Sequence, residues 1–387
     1  MRLLIVSTIP THPVNAGNRS FILQQVHLLQ GMGHEVFFLY VMNSRFSKNV
    51  VTIKELKKFW GDNIFIYTIP FWERRYFEII TSIRKRFNNG YYKCDDLYST
   101  GLGKYVINLN KEKKFDGCII NYYWLSKLFL QFKIGKSAIF THDYFSFKDL
   151  LVGKDGNTWM CTTPDEEAKG LQRCKTIFAL NNEEAFFFSK LSPNSNVSCI
   201  YTTCPYVHQE FKGNKNMLFL SSSNIFNIEG LKWFLNEIFI FICKKHGDVR
   251  LLIGGGICET EFVQSLRQNE FINVCGKVDD VNAFYSKGDI VINPTYQGTG
   301  LKIKTLEGIS YGKVVLAHPH SKTGLYRTDI APIFSSVNAK EWVDYTSMLW
   351  EYPNLVLEIK NKDEEYLRML RDNAIEQYNN YLYDLRQ

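Results

Sequence analysis

The sequence predicts an α/β protein built from two Rossmann-like domains whose parallel sheets face each other across a cleft. The chain has 387 residues, and at roughly 150 residues per domain that length suggests two domains. Both halves alternate apolar strand segments with amphipathic helices, the pattern of βαβ units and parallel sheets. The alternation restarts near Met217, shortly after Pro205. We therefore expect domains over 1–205 and 206–370, with a C-terminal helix, 371–387, that packs back on the first domain.

The elements of the first half follow from apolar runs bounded by polar or glycine-containing loops. Residues 20–32 have the apolar spacing of an amphipathic helix, which Gly31 or Gly33 can end. Another helix opens over 183–190. The expected strands are residues 3–8, 36–41, 64–69, 117–121, 138–141 and 177–180.

The second half repeats this pattern. Its expected strands are residues 217–221, 249–253, 273–275, 290–293 and 314–317. Its expected helices lie over 227–245, within 278–287, over 301–311 and over 363–385. Because ligands of open α/β sheets bind outside the carboxyl ends of the strands, chemistry is to be sought in the loops that follow these strands.

Composition narrows the class of protein. Hydrophobic residues make up 45% and charged residues 22% of the chain, which suits a globular protein and argues against a disordered or coiled-coil chain. No apolar run approaches the roughly 18–20 residues of a spanning helix, and residues 1–10 form a first strand rather than a signal peptide. The nine cysteines contain no CxxC pair, which favours reduced thiols in a cytoplasmic protein and gives no metal site.

Charge is concentrated in the first half. Residues 1–205 hold 26 Lys and Arg against 17 Asp and Glu, whereas 206–387 hold 20 against 22. The densest positive segment is 71–93, where six cations face Glu73 and Glu78 and a helix is expected. Two readings remain open for it: docking on an anionic membrane surface, or ordinary packing on the core. We expect no nucleic-acid partner, because no nucleic-acid-binding motif accompanies the patch. The apolar face of this helix is expected to carry Phe77, Ile80, Ile83 and Phe87.

The segment 293–317 carries the most specific signal, NPTYQGTGLKIKTLEGISYGKVVLA. Its glycines, Gly298 and Gly300, let the backbone approach a ligand closely. A helix is expected to start within 299–301, so that its free N–H groups form an anion site. Lys302 and Lys304 would lie in the first turn, where cations are disfavoured unless an anion offsets the cost. Glu307 can accept hydrogen bonds from a sugar-like diol, so the segment suits a nucleoside diphosphate.

This string resembles the nucleotide-sugar site of the family 4 retaining glycosyltransferases, which have the two-domain B-type fold. The positions that match one branch of that family are Gly298, Thr299, Gly300, Lys302, Lys304, Glu307, Gly312 and Lys313. The resemblance implies that residues 298–301, from Gly298 to Leu301, bind the donor diphosphate and that Glu307 binds the ribose. A first glutamate found in most of the family falls on Thr299 here, and that carboxylate lies near the transferred sugar in the family.

Other segments are similar to the same family. Gly17 lies in the N-terminal loop that approaches the donor diphosphate and the acceptor, and the backbone at Lys277 and Val278 would contact the base. Residues 224–233 resemble a pattern of the branch with Phe226 in place of proline. The basic pair that many members carry after the first strand of this domain is missing, since 221–230 contain no Arg or Lys. Lys302 and Lys304 would then neutralise the phosphates.

Polar residues in the first half supply the remaining candidates. His142 and Asp143 follow the strand over 138–141 and are similar to a His-Asp pair of the family, in which the histidine bonds the donor sugar. Asp143 is assigned to the acceptor side, or else it caps the following turn. His12 shares the N-terminal loop with Gly17 and is also assigned to the acceptor.

Other histidines and paired carboxylates have simpler explanations. His318 and His320 are expected to serve loop structure first. The carboxylates at 165–167 and at 183–184 are explained by helix starts rather than by glycosidase chemistry.

These observations predict a hexosyl or related transferase. It would move a sugar from a nucleotide diphosphate sugar to a hydroxyl of a glycan or lipid-linked acceptor, in cell-surface polysaccharide or lipopolysaccharide-type synthesis, with the retention that the resemblance implies. His142, Lys302 and Lys304 would carry catalysis. We expect no metal or other cofactor, since HExxH and DxD motifs are absent and lysines can carry the charge. A nucleotide-sugar epimerase of the same fold and a non-catalytic nucleotide-sugar binder remain alternatives.

Overall fold

The computed structural model describes residues 1–14, 17–43, 50–87, 91–146, 161–298 and 301–383, without the side chains of 50, 51 and 85–87. The chain divides into two compact units, Met1–Thr202 with Asp372–Gln387, and Thr203–Arg371. The sequence places these divisions at 205/206 and 370/371. Each unit is an α/β domain with one parallel sheet, so the predicted fold class is confirmed.

The first unit contains a seven-stranded parallel sheet in the order β3-β2-β1-β4-β5-β6-β7. The strands are β1 Arg2–Ser7, β2 Glu35–Met42, β3 Ile64–Thr68, β4 Gly117–Asn121, β5 Lys136–Phe140, β6 Thr176–Ala179 and β7 Asn196–Cys199. Along β1, Leu3 and Ile5 join the core on one face and Leu4 and Val6 the core on the other. A strand buried on both faces reads as a continuous apolar run, which is why β1 is evident from sequence.

The helices of the first unit cover both faces of that sheet. They are α1 Gly17–Gly31, α2 Val50–Trp60, α3 Phe71–Phe87, α4 Leu102–Lys113, α5 Leu128–Gln131, α6 Pro164–Leu171 and α7 Asn182–Leu191. The predicted end of α1 is confirmed: the helix stops at Gly31, and Gly33 has φ +83°, a conformation that glycine adopts without steric cost.

The second unit contains a six-stranded parallel sheet in the order β10-β9-β8-β11-β12-β13. The strands are β8 Asn216–Leu220, β9 Arg250–Gly254, β10 Ile272–Gly276, β11 Ile290–Asn293, β12 Val314–Ala317 and β13 Ile333–Ser335. The helices are α8 Ile225–Phe234, α9 Ile240–Lys245, α10 Glu261–Ser265, α11 Val281–Tyr285, α12 Ile303–Ser310, α13 Ala339–Glu351 and α14 Pro353–Tyr383. A π-helical turn, Leu235–Phe239, connects α8 to α9, so the single helix predicted over 227–245 contains a wider turn.

Strand order reverses once in each sheet, between β1 and β4 and between β8 and β11. At such a switch point the loops after the two strands diverge and leave a crevice at the carboxyl ends, where ligands of open α/β sheets bind. In the second unit this crevice is bordered by the residues after Leu220 and after Asn293. Among the helices that the structure describes, none is both long and apolar enough to cross a membrane.

Candidate functional site

The first component of the site is the turn that follows β11. Gly298 has φ +96°, and a Cβ there would lie 3.0 Å from the Phe226 ring. Both the backbone conformation and the neighbouring ring therefore require glycine. Thr299 and Gly300, which the sequence assigns to the donor diphosphate, lie outside the described residues. Leu301 follows them and is half-buried.

The helix after this turn begins later than predicted. α12 starts at Ile303, with Lys302 at its N-cap in a non-helical conformation. The predicted start within 299–301 is therefore wrong, and Lys302 precedes the first turn while Lys304 lies inside it. A lysine offers no side-chain acceptor for the first amides, and Lys302 indeed makes no capping hydrogen bond. In the first turn of α12 the amides of Ile303 and Thr305 donate to the carbonyl oxygens of Leu301 and Lys302, at 3.0 and 2.9 Å. The charge that this turn offers to an anion is therefore the Lys304 ammonium.

Lys302 and His320 hold the turn together. The Lys302 Nζ donates to the Gly298 carbonyl oxygen at 2.9 Å, and the His320 Nε2 lies 2.9 Å from the same oxygen. His320 is in turn placed by His318, whose Nδ1 accepts from the His320 amide at 3.1 Å. The expectation that these histidines serve loop structure is confirmed, and the loop they serve is the one at the candidate site.

Lys304 points toward α8. Its Nζ donates to Asn227 Oδ1 and lies 5.6 Å from the centre of the Phe219 ring. Burial lowers the pKa of Lys304 to about 7. The nearby Glu307 carboxylate raises this pKa, and the Lys302 ammonium lowers it further. An ammonium group with so little hydration gains most when an anion approaches, because charges interact more strongly in a medium of low dielectric constant.

Glu307 lies one turn further along α12 and is oriented by an aromatic pair. Tyr285 donates its hydroxyl to the Glu307 carboxylate at 3.2 Å, and the Tyr285 ring stacks on Tyr311 with centroids 4.4 Å apart. Burial raises the pKa of Glu307, while the Tyr285 hydroxyl and Lys304 both lower it. This carboxylate is placed to accept hydrogen bonds from a pair of hydroxyl groups.

The structure adds residues that sequence reasoning did not select. Asn227 holds Lys304 and also donates to the Ser222 carbonyl at 3.2 Å, which joins α8 to the loop after β8. Phe226 packs on the Gly298 turn, and Tyr285 orients Glu307. Asn227 falls inside the 224–233 segment that resembles the family, so that segment was the available signal for it; no local pattern marks Tyr285.

Lys277 and Val278 follow β10 at the same edge of the sheet. Lys277 is exposed and pairs with Asp279 at 2.8 Å. Val278 packs with Phe284 over Gly254, where a Cβ would lie 2.8 Å from the Val278 side chain. The backbone at this turn is thus held by Val278, and its contact with a base stays a prediction.

His142 in the first unit occupies a strained position at the end of β5. Its φ is +65°, and Tyr122, at the end of the adjacent β4, has φ +72°. The two rings stack with centroids 4.5 Å apart. Non-glycine residues in such conformations cost on the order of 1–3 kcal/mol each and cluster at functional sites. The pair therefore marks the carboxyl edge of this sheet as a candidate site in its own right.

Buried amides connect His142 to the C-terminal helix. The His142 Nε2 lies 2.6 Å from Asn121 Oδ1, Asn121 Nδ2 is 3.4 Å from Gln25 Oε1, and Gln25 Nε2 donates to the Tyr378 hydroxyl at 3.0 Å. Burial lowers the pKa of His142 to about 3. The imidazole is therefore neutral and can exchange hydrogen bonds with a sugar hydroxyl without carrying charge.

The other three candidates of the first unit are Gly17, His12 and Asp143. Gly17 is the first residue of α1, so its predicted place in the N-terminal loop is wrong, while its contact with the donor diphosphate stays a prediction. His12 bonds the Thr11 hydroxyl at 3.0 Å and lies against the Phe59 ring, and burial lowers its pKa. Asp143 accepts from the Tyr144 amide at 3.0 Å, which fits the turn-capping reading.

The carboxylates at 165–167 and 183–184 lie in the first turns of α6 and α7, as predicted. Glu167 has an additional role, since it is fully buried and accepts from the amides of Phe145 and Ser146 at 3.0 Å each. It thereby holds the chain that follows His142. Within the described residues, no group of three His, Cys, Asp or Glu side chains could hold a metal ion.

Comparisons with known proteins agree with this architecture. Residues 214–345, most of the second unit, match the family model described as Glycosyl transferases group 1. A protein from Klebsiella pneumoniae, described as an uncharacterized 44.6 kDa protein in the cps region, is 24% identical over 333 residues, 80% of each chain.

Solved structures match nearly the whole chain. TarM has a TM-score of 0.68 at 10% identity, with 98% of each chain covered. The pneumococcal O-GlcNAc transferase GtfA, in complex with UDP and GlcNAc, has a TM-score of 0.64 at 9% identity, covering 100% of this chain and 99% of its own. Anabaena Alr3699/HepE, in complex with UDP and glucose, has a TM-score of 0.62 at 12% identity, with 99% of each covered. The chain thus has the two-domain fold of the GT-B glycosyltransferases, and its second unit matches the group 1 family model.

Proposed function

We propose that this protein transfers a sugar from a nucleotide diphosphate sugar to a hydroxyl of a glycan or lipid-linked acceptor. One observation carries the proposal: Gly298, Lys302, Lys304 and Glu307 lie together at the carboxyl edge of the second sheet, beside its switch point. That combination suits a diphosphate and a ribose at once. Complexes of GtfA and HepE with UDP support a uridine nucleotide as the first ligand to test.

The donor diphosphate would bind at the start of α12. The Lys304 ammonium and the positive end of the helix dipole would face its oxygens, and Lys302 would exchange the Gly298 carbonyl for a phosphate oxygen. Such preorganised charge favours departure of the nucleoside diphosphate, because it acts on negative charge that grows in the transition state. We further propose that the two lysines supply this charge without a divalent cation, and that activity therefore persists in EDTA.

The remaining groups would orient the sugars. Glu307, held by Tyr285, would accept from the ribose hydroxyls, and the neutral His142 imidazole would bond a hydroxyl of the transferred sugar. We propose retention of configuration at the transferred carbon, on the strength of the family resemblance. Capsule or lipopolysaccharide-type synthesis is supported by the relative from a cps region. A cytoplasmic location is supported by the nine free cysteines.

The lysine pair gives the direct test. Lys302→Ala and Lys304→Ala should each lower kcat/KM by tens-fold or more, roughly 2–4 kcal/mol of transition-state stabilisation, since each removes a charge aimed at the leaving group. Initial rates with UDP-sugar donors and titration calorimetry with UDP measure the effect. Lys340→Ala is the matched control, because Lys340 is an exposed lysine of α13 that pairs with Asp344. Wild-type rates and UDP affinity in both variants would contradict the proposal.

A non-catalytic nucleotide-sugar binder is the second candidate, favoured by Thr299 at the position of the family's first carboxylate. UDP binding without turnover across a broad acceptor panel would support it. Incubation of the donor without an acceptor, followed by analysis of the sugar, would reveal an epimerase of the same fold.

A further inference from the structure

Helix α3, Phe71–Phe87, has a polar inner side. Glu73 is only 3% exposed and accepts hydrogen bonds from the Thr100 amide at 3.2 Å and from the hydroxyls of Ser99 and Thr100. Near the other end of the helix, Arg84 pairs with Asp96. Phe77 packs against the core between these anchors. The helix is therefore fixed to its unit by two charged side chains as well as by Phe77.

The outer side of α3 is apolar. Trp72, Tyr76, Ile79 and Ile83 are 66, 60, 58 and 50% exposed. Their spacing of four, three and four residues places them along one face of the helix. The apolar face expected from sequence was different, because Phe77 and Ile80 are half-buried and only Ile83 lies on the outer side. The side chain of Phe87 lies outside the described residues.

The four residues Trp72, Tyr76, Ile79 and Ile83 form a contiguous apolar stripe, which indicates a binding surface. Single exposed apolar side chains are ordinary on protein surfaces, whereas a continuous apolar patch marks an interaction surface. The stripe contains tryptophan and tyrosine, which are enriched where one end of a side chain meets hydrocarbon and the other meets water. Residues 71–93 carry six cations against two carboxylates, and Arg75 is exposed beside the stripe.

The positive charge of the first half favours an anionic partner for this stripe. The first half of the chain has an excess of nine positive charges, 26 against 17 over residues 1–205. A second copy that docked through the same face would bring two positive surfaces together, which costs free energy. An anionic lipid surface offers the complementary charge, and an amphipathic helix lies in such a surface with its apolar face about 5–10 Å deep.

We propose that the outer face of α3, formed by Trp72, Tyr76, Ile79 and Ile83 with Arg75, docks the protein on an anionic membrane surface. The stripe enters the boundary between headgroups and acyl chains, and Arg75 contacts lipid phosphates. This docking would hold the protein beside lipid-linked acceptors, but it does not depend on the transfer reaction. Its test therefore needs no activity measurement.

Flotation of the full chain with lipid vesicles tests the proposal. The wild type should bind vesicles that contain phosphatidylcholine and phosphatidylglycerol. It should bind vesicles of pure phosphatidylcholine more weakly, and high salt should weaken its binding to the anionic vesicles. Trp72→Ser with Ile79→Ser should bind the anionic vesicles about tenfold more weakly. The matched control is Phe186→Ser with Leu130→Ser, since these residues are 66 and 53% exposed elsewhere on the same unit. Arg75→Gln should weaken binding to anionic vesicles and leave binding to pure phosphatidylcholine vesicles unchanged.

Two results would overturn the proposal. One is a wild type that fails to float with anionic vesicles, or floats no better than the Trp72/Ile79 variant while thermal melting shows that both are folded. The other is a concentration-dependent dimer, seen by light scattering, that the Trp72/Ile79 variant loses without any vesicle binding by the wild type. The second result would assign the stripe to a contact between copies.

Discussion

Lys304 illustrates how the fold changes the chemistry of a single residue. A lysine ordinarily keeps its proton far above neutral pH, but burial of this ammonium lowers its pKa to about 7. The Asn227 oxygen holds the group in place, and Glu307 offsets only part of the desolvation. Near neutral pH the ligand-free protein therefore contains both protonated and neutral Lys304. An arriving diphosphate favours the protonated form, so binding and protonation are coupled.

Diphosphate affinity should fall as pH rises above about 7. The pKa of Lys304 is about 7 in the free protein and higher in the complex, so between these values the complex holds one more proton than its separated components. The dissociation constant for UDP should then rise by up to about tenfold per pH unit. Calorimetry in buffers of different ionisation enthalpy would detect the proton uptake directly. Lys304→Met should bind weakly and show neither effect, and a constant affinity from about pH 7 to 9 in the wild type would exclude the coupling.

At the scale of elements, α3 shows that a buried charged side chain can anchor a helix whose exposed face is apolar. Its anchor is Glu73, whose carboxylate satisfies the Thr100 amide and two hydroxyls in a buried setting. The Ser99 hydroxyl also lies 2.6 Å from the Tyr67 hydroxyl, so the anchor extends to β3. Buried polar groups must be paired, and a carboxylate that serves three donors is hard to replace.

Glu73→Ala should destabilise the first unit by about 2–4 kcal/mol, because three buried donors lose their acceptor. The urea midpoint of the first unit, followed by circular dichroism, measures this loss. Glu78→Ala on the same helix is the control: Glu78 pairs with Arg75 at the surface, and its removal should cost no more than about 0.5 kcal/mol. Equal midpoints for the two variants would show that Glu73 is not an anchor.

At the scale of the whole molecule, the last helix, α14, contributes residues to both units. Helix α14 starts in the second unit, and its residues from Asp372 onward belong to the first. Ala374, Tyr378 and Leu382 are buried there with residues of α1 and β6. The centroids of the Phe178 and Tyr378 rings lie 5.5 Å apart. The last helix is therefore part of the core that supports the strand ends near His142.

Tyr378→Ala should lower the stability of the first unit by about 3–5 kcal/mol, since it leaves a cavity in a closed core. Tyr378→Phe keeps the ring and removes only the partner of Gln25, so we expect about 1 kcal/mol. Tyr383→Ala, at an exposed position of the same helix, should change stability little. Thermal midpoints rank the three. A Tyr378→Ala protein as stable as the Tyr383→Ala control would show that the C-terminal segment does not support this core.

The sequence predicted the buried strands well and missed two of the four edge strands. Strands β4, β11 and β12 were placed to the residue, because central strands of parallel sheets are uninterrupted apolar runs. β7 and β13 were missed, since they are short, only half-buried and lack an apolar run, whereas the edge strands β3 and β10 were predicted. The start of α12 was placed too early, because glycines and lysines do not mark a helix boundary by themselves.

By itself, the sequence determined the alternation of strands and helices, the two-domain fold and the glycine-lysine-glutamate string of the second unit. These features depend on local patterns of polarity and on backbone freedom, which can be recognised in the order of the residues. Only the tertiary structure decided that Asn227 holds Lys304, that Tyr285 orients Glu307, and that the apolar side of α3 faces outward. The physical reason is that partners, burial and pKa depend on residues distant in sequence, which folding alone brings into contact.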